Sequence, residues 1–436
     1  MENKLLEVIR KIVDENKDLI NQGEFDFLFE QILGEHGYQV DEEFFKMCED
    51  AGIGGANIEE LKNMYYCNHR IKQIKCYNVG FGDCFLCKDD TDNGAKMLVD
   101  FGGEAKKLIN VTSDLISEFS FTERKYLMLS HLHKDHYDGL HKLFKAQSQL
   151  KFNAVYLPNY ITNGSLELYA SMIFLDPNSD LAREARDILQ IPGILQKNCA
   201  ANAKIYFLSE GGRVFNSLCA FETLLPRRHR ERLWNEDIKP IREFCERYKE
   251  ILGYTEDESG SVTVSINIER NVIDLVEGFY HFANENNERV SESELKKLKK
   301  HFKTNRNELS LAFHELGIED SQNVLFLSDA KPTDIKHLAD NNKLKHEYCF
   351  VKIQHHGTRN YFYNGLPVSK YYAISNGGGR ESWEITDAYD FQYGKCASFV
   401  CTNNCNCKKF KNNIICNAHS NMKTQCGVNL SYTVKI

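Results

Sequence analysis

The chain has 436 residues, of which 27% are charged and 42% hydrophobic, with a formal net charge of −8. That length exceeds what one small core needs, so one large domain with additions or two domains fit it, and the globular composition excludes a collagenous or wholly disordered chain. The negative balance excludes a global pull on nucleic acid, leaving only local basic patches to supply one, and no apolar run approaches the roughly 18 residues of a membrane span.

The opening Met1-Glu2-Asn3-Lys4-Leu5-Leu6-Glu7 mixes charges at once and carries no apolar export segment. A cytoplasmic protein with no membrane partner is the expectation. Residues 1–68 are expected to form an N-terminal helical region. Leu5, Leu6, Ile9, Ile12 and Val13 make one apolar face, and Phe25, Leu28, Phe29, Ile32 and Leu33 make another. A cap packed on the main domain is the first reading of these helices, and docking of a protein partner is the second.

From Ile71 the texture changes to short apolar runs. Strands are predicted at 74–79, 84–87 and 97–99, with turns at Gly80-Phe81-Gly82-Asp83 and Asp92-Asn93-Gly94. The run 126–129 is of the buried type and ends on Ser130-His131. The run 324–327 ends likewise on Ser328-Asp329, and 350–353 ends on Gln354-His355-His356. Polar residues gathered past the ends of buried strands are how α/β layers build sites. Between 160 and 320 the pattern fits core strands with helical insertions: helices at 180–189, 238–252 and 291–302, strands at 262–268 and 309–313.

His131, His133, Asp135 and His136 fall within six residues, just past a strand. A tight turn there can aim His131 and His133 at one metal and Asp135 and His136 at a second. Mixed imidazole and carboxylate ligands suit zinc first, then manganese or iron, rather than magnesium or calcium. A histidine-rich surface loop is the competing reading, and the spacing directly after a buried strand argues against it.

The stretch Ser130-His131-Leu132-His133-Lys134-Asp135-His136 resembles the signature of the metallo-β-lactamase superfamily. That resemblance implies a four-layer αββα sandwich over 70–436 with two divalent metals at one edge. Asn78-Val79-Gly80-Phe81-Gly82-Asp83-Cys84 and Leu98-Val99-Asp100-Phe101-Gly102 resemble its opening hairpin, and Leu327-Ser328-Asp329-Ala330 its metal-bridging aspartate segment. Val351-Lys352-Ile353-Gln354-His355-His356-Gly357-Thr358 is similar to the His-His-Gly-Ser segment of one branch. That branch includes the C-terminal domain of ComEC-type DNA-uptake proteins and choline-phosphate esterases. Ala373-Ile374-Ser375-Asn376-Gly377 fits the strand that follows. The resemblance implies that His131 and His133 bind the first metal, Asp135 and His136 the second, that Asp329 bridges, and that His355 completes the second. His356 is the alternative ligand or a residue behind it, and Asp100 orients a ligand imidazole. Asp135, His136 and Asp329 are then the catalytic centre.

Two departures stand out. Many members supply a third histidine to the first metal. Here Asn307-Glu308-Leu309-Ser310-Leu311 stands in its place, similar to the Asn-x-x-Ser form of the ComEC-type branch. Asn307 is thus an alternative ligand or a supporting residue, with His229 and His314 as the other candidates. Gly379-Arg380-Glu381-Ser382-Trp383 replaces a second histidine common in the family. Two divalent ions against Asp135 and Asp329 leave roughly +2, which lowers the pKa of bound water toward ~7 and attracts an anionic phosphodiester. A phosphodiesterase or nuclease using metal-bound hydroxide is therefore expected, on a nucleic acid or nucleotide. The alternatives are a hydrolase of small esters, lactones or phosphocholine-like groups, and an enzyme-derived partner-binding subunit. Basic runs at Lys296, Lys297, Lys299, Lys300, Lys303 and Arg306, and at Arg227, Arg228, Arg230 and Arg232, could follow a phosphate backbone.

Six of the 15 cysteines crowd the last 41 residues. Within the expected Cys-rich insertion at 396–427, Cys401, Cys405, Cys407, Cys416 and Cys426 are candidate ligands of an additional structural zinc, with reduced thiols as the equal alternative. The flanks, 397–400 and 428–436, look like the closing strands of the main fold.

Overall fold

The computed structural model describes residues 42–50, 62–63, 65–66, 69–91, 93–146, 150–160, 180–230, 307–317, 319–376, 385–386, 388–393, 398–402 and 431–436, with Lys11 and Tyr169. Most of the N-terminal region, the predicted elements at 238–252, 262–268 and 291–302, the Gly379–Trp383 segment and nearly all of the Cys-rich insertion lie outside these residues.

Strands buried on both faces build the architecture. In chain order come α1 (Glu42–Asp50), β1 (Gln73–Tyr77), β2 (Cys84–Lys88), β3 (Lys96–Phe101), α2 (Ala105–Ser120), β4 (Lys125–Met128), α3 (Lys134–Ala146), β5 (Phe152–Pro158), α4 (Asp180–Lys197) and β6 (Cys199–Leu208). There follow β7 (Arg213–Phe215), β8 (Ala220–Leu225), β9 (Ala312–Glu315), β10 (Val324–Phe326), α5 (Pro332–Asp340), β11 (Glu347–Lys352), β12 (Val368–Ile374), α6 (Ala388–Tyr393), β13 (Ser398–Cys401) and β14 (Ser431–Lys435). They form two seven-stranded sheets, ordered β14-β1-β2-β3-β4-β5-β6 and β13-β12-β11-β10-β9-β8-β7. Each sheet pairs antiparallel over one half and parallel over the other: the parallel half is β3-β4-β5-β6 in the first sheet and β13-β12-β11-β10 in the second. The parallel steps β3–β4, β4–β5 and β10–β11 are crossed by α2, α3 and α5. Such crossovers need a helix to return the chain.

Three apolar layers separate four structural ones. Leu98, Leu127 and Val155 face Leu108, Leu115 and Leu143 of the helices. Their neighbours Met97, Val99, Met128 and Ala154 turn the other way, onto Phe221, Phe313, Phe326 and Phe350 of the second sheet. Leu325, Val351 and Tyr372 then meet Ile335, Leu338 and Tyr389 outside it. Alternate residues of one strand thus serve two cores, which is why these strands read as continuous apolar runs. This is the αββα sandwich. Aromatic rings lock its centre: Phe326 stacks on Phe313 at 4.9 Å and meets Phe85 of the opposite sheet at 5.6 Å.

Some elements differ from the sequence reading. The helix read as 180–189 runs to Lys197 through Pro192, because buried Ile191 and Leu195 continue its apolar face. The strand read as 309–313 begins only at Ala312, because Ser310 N and Oγ both bond Asn307 O (3.3 and 2.9 Å) in a short turn. The described pieces of the N-terminal region pack on the second sheet, with the Phe45 ring 5.2 Å from Phe215.

Glu315, at the end of β9, is 1% exposed and accepts the Ile71 N–H at 2.7 Å. Burial pushes its carboxyl up to about 7 from an ordinary 4.5, against the opposing pull of the Ile71 N–H, Arg70 and Lys345. The folded state therefore binds more protons than the unfolded between those values, and stability falls as pH rises from about 4.5 to about 7. The group accounts for at most about 3 kcal/mol of that fall. Denaturant unfolding of Glu315→Gln at pH 5, 6, 7 and 8 should show a shallower decline than the native chain up to about 7, with the two profiles running parallel above it.

Candidate metal centre

Four strand ends are laced together at one edge of the sandwich. Leu311 N donates to Ser130 O at 2.8 Å, Ser328 Oγ to Leu311 O at 2.6 Å, and His355 N to Ser328 O at 2.8 Å. The segment 131–136, expected to be a tight turn, is non-helical only as far as His133 and then enters a helix. α3 starts at Lys134, so Asp135 and His136 occupy its first turn, with His136 N bonded to His133 O at 2.9 Å. The opening hairpin is laid on this helix start. Asp83 N donates to Asp135 O at 3.0 Å, and a Cβ on Gly102 would come within 2.2 Å of the Asp135 carbonyl carbon. Only glycine permits that approach.

Asp329 is the hub. Its Oδ2 lies 3.6 Å from His131 Nε2, 3.5 Å from His136 Nε2 and 3.7 Å from His355 Nε2, and its Oδ1 lies 3.8 Å from His356 Nε2. Donor atoms converge in two sets around it: His131, His133 and Asp329, and Asp135, His136 and His356. His131 Nε2 is 2.9 Å from His133 Nδ1, and His356 Nε2 is 3.1 Å from Asp135 Oδ2. Backbone strain marks the same place. Asp100, Ser328, His355 and His356 all have positive φ, from 42° to 55°. Such conformations cost about 1–3 kcal/mol each in non-glycine residues and cluster at functional sites.

The protonation pattern asks for cations. Burial pushes the Asp329 and Asp135 carboxyls up, yet surrounding imidazoles overcome it and hold both well below the usual range. Burial likewise lowers His136 and His356, but Asp329, Asp100 and Asp135 raise the first well above its ordinary value, and Asp83 and Asp329 lead in raising the second to about 9. His131 is held well below its ordinary value by burial and by His136 and His133. Buried His136 Nε2 and Asp329 Oδ1 have no hydrogen-bond partner. Orphaned donors of nitrogen and oxygen around a carboxylate excess fit divalent metals.

The other sequence candidates fall as follows. Asp100 Oδ2 accepts from His136 Nδ1 at 2.8 Å, and Asp100 also takes the Ser130 N–H and hydroxyl at 2.7 Å each. His356, rather than His355, joins Asp135 and His136. His355 stacks on Tyr361 at 3.7 Å, with Nδ1 2.9 Å from Thr358 Oγ1. Asn307 borders the site, its Nδ2 donating to Tyr361 OH at 3.0 Å and its Oδ1 buried without a partner. His314 turns to Tyr348 OH at 2.8 Å, and burial lowers it to about 3. His229 is exposed. Neither belongs to a donor set among the described residues. Cys401 closes β13, and the other tail cysteines lie outside the described residues.

Sequence reasoning missed Asp83 and Lys352. Asp83 read as a turn residue, and Lys352 as one more residue of the strand run 350–353. Both are 1% exposed and form an ion pair across the two sheets. Burial pushes the Asp83 carboxyl up, but Lys352, His356 and His136 outweigh it and hold it at about 2. Asp83 also joins a third donor set with His136 and Asp329. Lys352 already engages its Oδ2, however, and His136 reaches it through Nδ1, the nitrogen given to Asp100. The signal in the sequence was a charge at each of two positions that the pattern makes inward.

No family model matches the chain, and no curated protein matches it. Among solved structures it is similar to a long-form RNase Z from yeast, at 11% identity and a TM-score of 0.33, over 70% of this chain and 37% of that one. It is also similar to a mutant of the β-hydroxylase CmlA (10% identity, TM-score 0.33, 90% of this chain and 59% of that one). A third likeness is to the metallo-β-lactamase-fold protein YhfI from Bacillus subtilis (11%, 0.33, 75% and 96%). This chain therefore spans less than two thirds of the first two. The architecture is established by the sheet order and the three core layers, independently of these scores.

Asp329→Ala should lower bound zinc or manganese from two ions per chain to fewer than one, because both donor sets converge on that carboxylate. His314→Ala and His229→Ala should keep two. Metal analysis after gel filtration of the loaded proteins measures this.

Proposed function

We propose that the chain is a metal-dependent hydrolase of metallo-β-lactamase type that cleaves phosphodiesters. The observation that carries this reading is the position of Asp329, whose single carboxylate lies within 3.5–3.8 Å of four imidazoles. Such a bridge suits two divalent ions, and these would supply an activated water and neutralise charge on a phosphoryl oxygen. His131, His133 and Asp329 would hold one ion, and Asp135, His136, His356 and Asp329 the other. Asp100 keeps His136 turned so that Nε2 faces inward. Against two divalent ions, the carboxylates of Asp100, Asp135 and Asp329 leave the site positive, which favours an anionic substrate. The resemblance of the Asn307 and His355-His356 segments to the ComEC-type branch supports a nucleic acid or nucleotide.

One observation favours the second reading, a small ester or phosphocholine-like substrate. The arginine run expected to follow a phosphate backbone turns partly inward. Arg227 Nη1 and Arg230 Nε lie 3.6 and 3.8 Å from buried Asp334, and Arg230 Nη1 lies 3.2 Å from Glu308. Their charge is spent within the protein.

The metal-loaded chain should hydrolyse bis-p-nitrophenyl phosphate and at least one of single-stranded DNA, duplex DNA, RNA or a cyclic nucleotide. Asp135→Ala should reduce that turnover to the background rate while the fold is preserved, and His314→Ala should leave it within a few-fold. Turnover of carboxylic esters with none of any phosphodiester would reverse the order of the two readings.

A further inference from the structure

We propose that Asp83 and Lys352 are positioning residues for the metal centre: Lys352 fixes the Asp83 carboxylate behind His356, so that His356 keeps its Nδ1 proton and offers Nε2. The inference rests on the metal-centre reading above and adds to it two residues outside the ligand set.

Geometry carries the argument. Asp83 ends the loop before β2 in the first sheet, and Lys352 ends β11 in the second. The ammonium pairs with Asp83 Oδ2 and donates to Ser328 O at 3.1 Å, immediately before Asp329. One buried cation thus holds the carboxylate behind one donor and the backbone beside another. Asp83 Oδ1 faces His356 Nδ1 at 3.3 Å, within ion-pair range and without an aligned hydrogen bond. On the far side of the ring, His356 Nε2 meets Asp135 Oδ2 at 3.1 Å. A metal-binding imidazole is neutral, and the partner of its other nitrogen decides which atom keeps the proton. His136 shows the same device completed. Its Nδ1 is given to Asp100, and Asp100 is anchored by the Ser130 N–H and hydroxyl. Lys352 does for Asp83 what Ser130 does for Asp100.

Folding alone gives little reason for the pair. Burying an ammonium and a carboxylate together commonly stabilises no better than apolar side chains of similar volume. The pair's further side-chain contacts, from Lys352 to Ser328 O and from Asp83 to His356 and His136, all lead to the metal donors.

The test uses the full chain and zinc, titrated against a competing chelator, in Lys352→Met, Asp83→Ala and the double variant. Lys352→Met leaves a buried carboxylate unpaired, whereas the double variant removes both charges together, and any one of the three that folds decides the matter. We expect one of the two zinc ions to bind about 10–100-fold more weakly, with the other changed less than about threefold. The double variant should lose no more than Asp83→Ala, since both substitutions act through one carboxylate. In the zinc-loaded native chain, labelled with 15N-histidine, the His356 Nδ1–H should give an exchange-protected proton signal that the double variant lacks. Native affinity at both zinc ions in a folded variant would overturn the inference, as would equal weakening of both ions in step with lost thermal stability. Two zinc ions in the native chain without phosphodiester turnover would defeat the proposed function and leave this inference standing. Fewer than two would overturn the centre and the inference with it.

Discussion

Asp83, Asp100 and Asp329 bring three carboxylates into an interior where each is 1% exposed. A buried carboxylate without compensation shifts toward its neutral form or destabilises the fold. Compensation here comes from neighbouring strand ends. Ser130 at the end of β4 answers Asp100, Lys352 at the end of β11 answers Asp83, and four imidazoles surround Asp329. The imidazoles gathered around these carboxylates, with His136 and His356 raised by them, are the groups whose nitrogens a cation would take. Charge balance and metal affinity are then two states of one arrangement.

The two-sheet architecture is what allows this density of charge. Each sheet turns from antiparallel to parallel pairing partway across, and the parallel strands all deliver their carboxyl ends to one edge. β4 supplies Ser130 and His131 there, β10 supplies Asp329, and β11 supplies the His355-His356 pair. Helices outside and a phenylalanine core between the sheets hold the strand ends in place, so loops need little length to bring donors together. The left-handed conformations at Asp100, Ser328, His355 and His356 are the local cost of that convergence.

Much of this was legible in the sequence, for a physical reason. Buried strands are short apolar runs, and the polar residues following 126–129, 324–327 and 350–353 could only lie at strand ends. The histidine-rich segment was visible through its spacing, although its helix was not, since Lys134 and Asp135 look as much like a turn as like a first helical turn. Asp83 and Lys352 were hidden because each explains the other. A lone acid in a Gly-Phe-Gly loop looks like a turn, and a lone lysine in Phe-Val-Lys-Ile looks like an edge. Only the sheet-to-sheet contact makes them a pair. The ion pairs of Arg227 and Arg230 were hidden in another way, since a linear run of charge says nothing about Asp334, more than 100 residues away.

The choice between His355 and His356 shows how far backbone geometry decides chemistry. Successive residues of a strand point to opposite faces, so two adjacent histidines continuing β11 could not both reach Asp329. Both residues are left-handed, with φ of 42° and 55°, and the chain turns back on itself there. Both Nε2 atoms then approach the same carboxylate, one at each oxygen, at 3.7 and 3.8 Å. Their surroundings set them apart. His356 is fully buried, faces Asp83, and lies under Asn376, whose amide holds the His356 carbonyl at 3.2 Å. His355 keeps 19% of its side chain exposed and is steadied by the Tyr361 ring and Thr358. Of the two, the buried ring is shaped by fixed charges on both sides, and the exposed ring faces solvent.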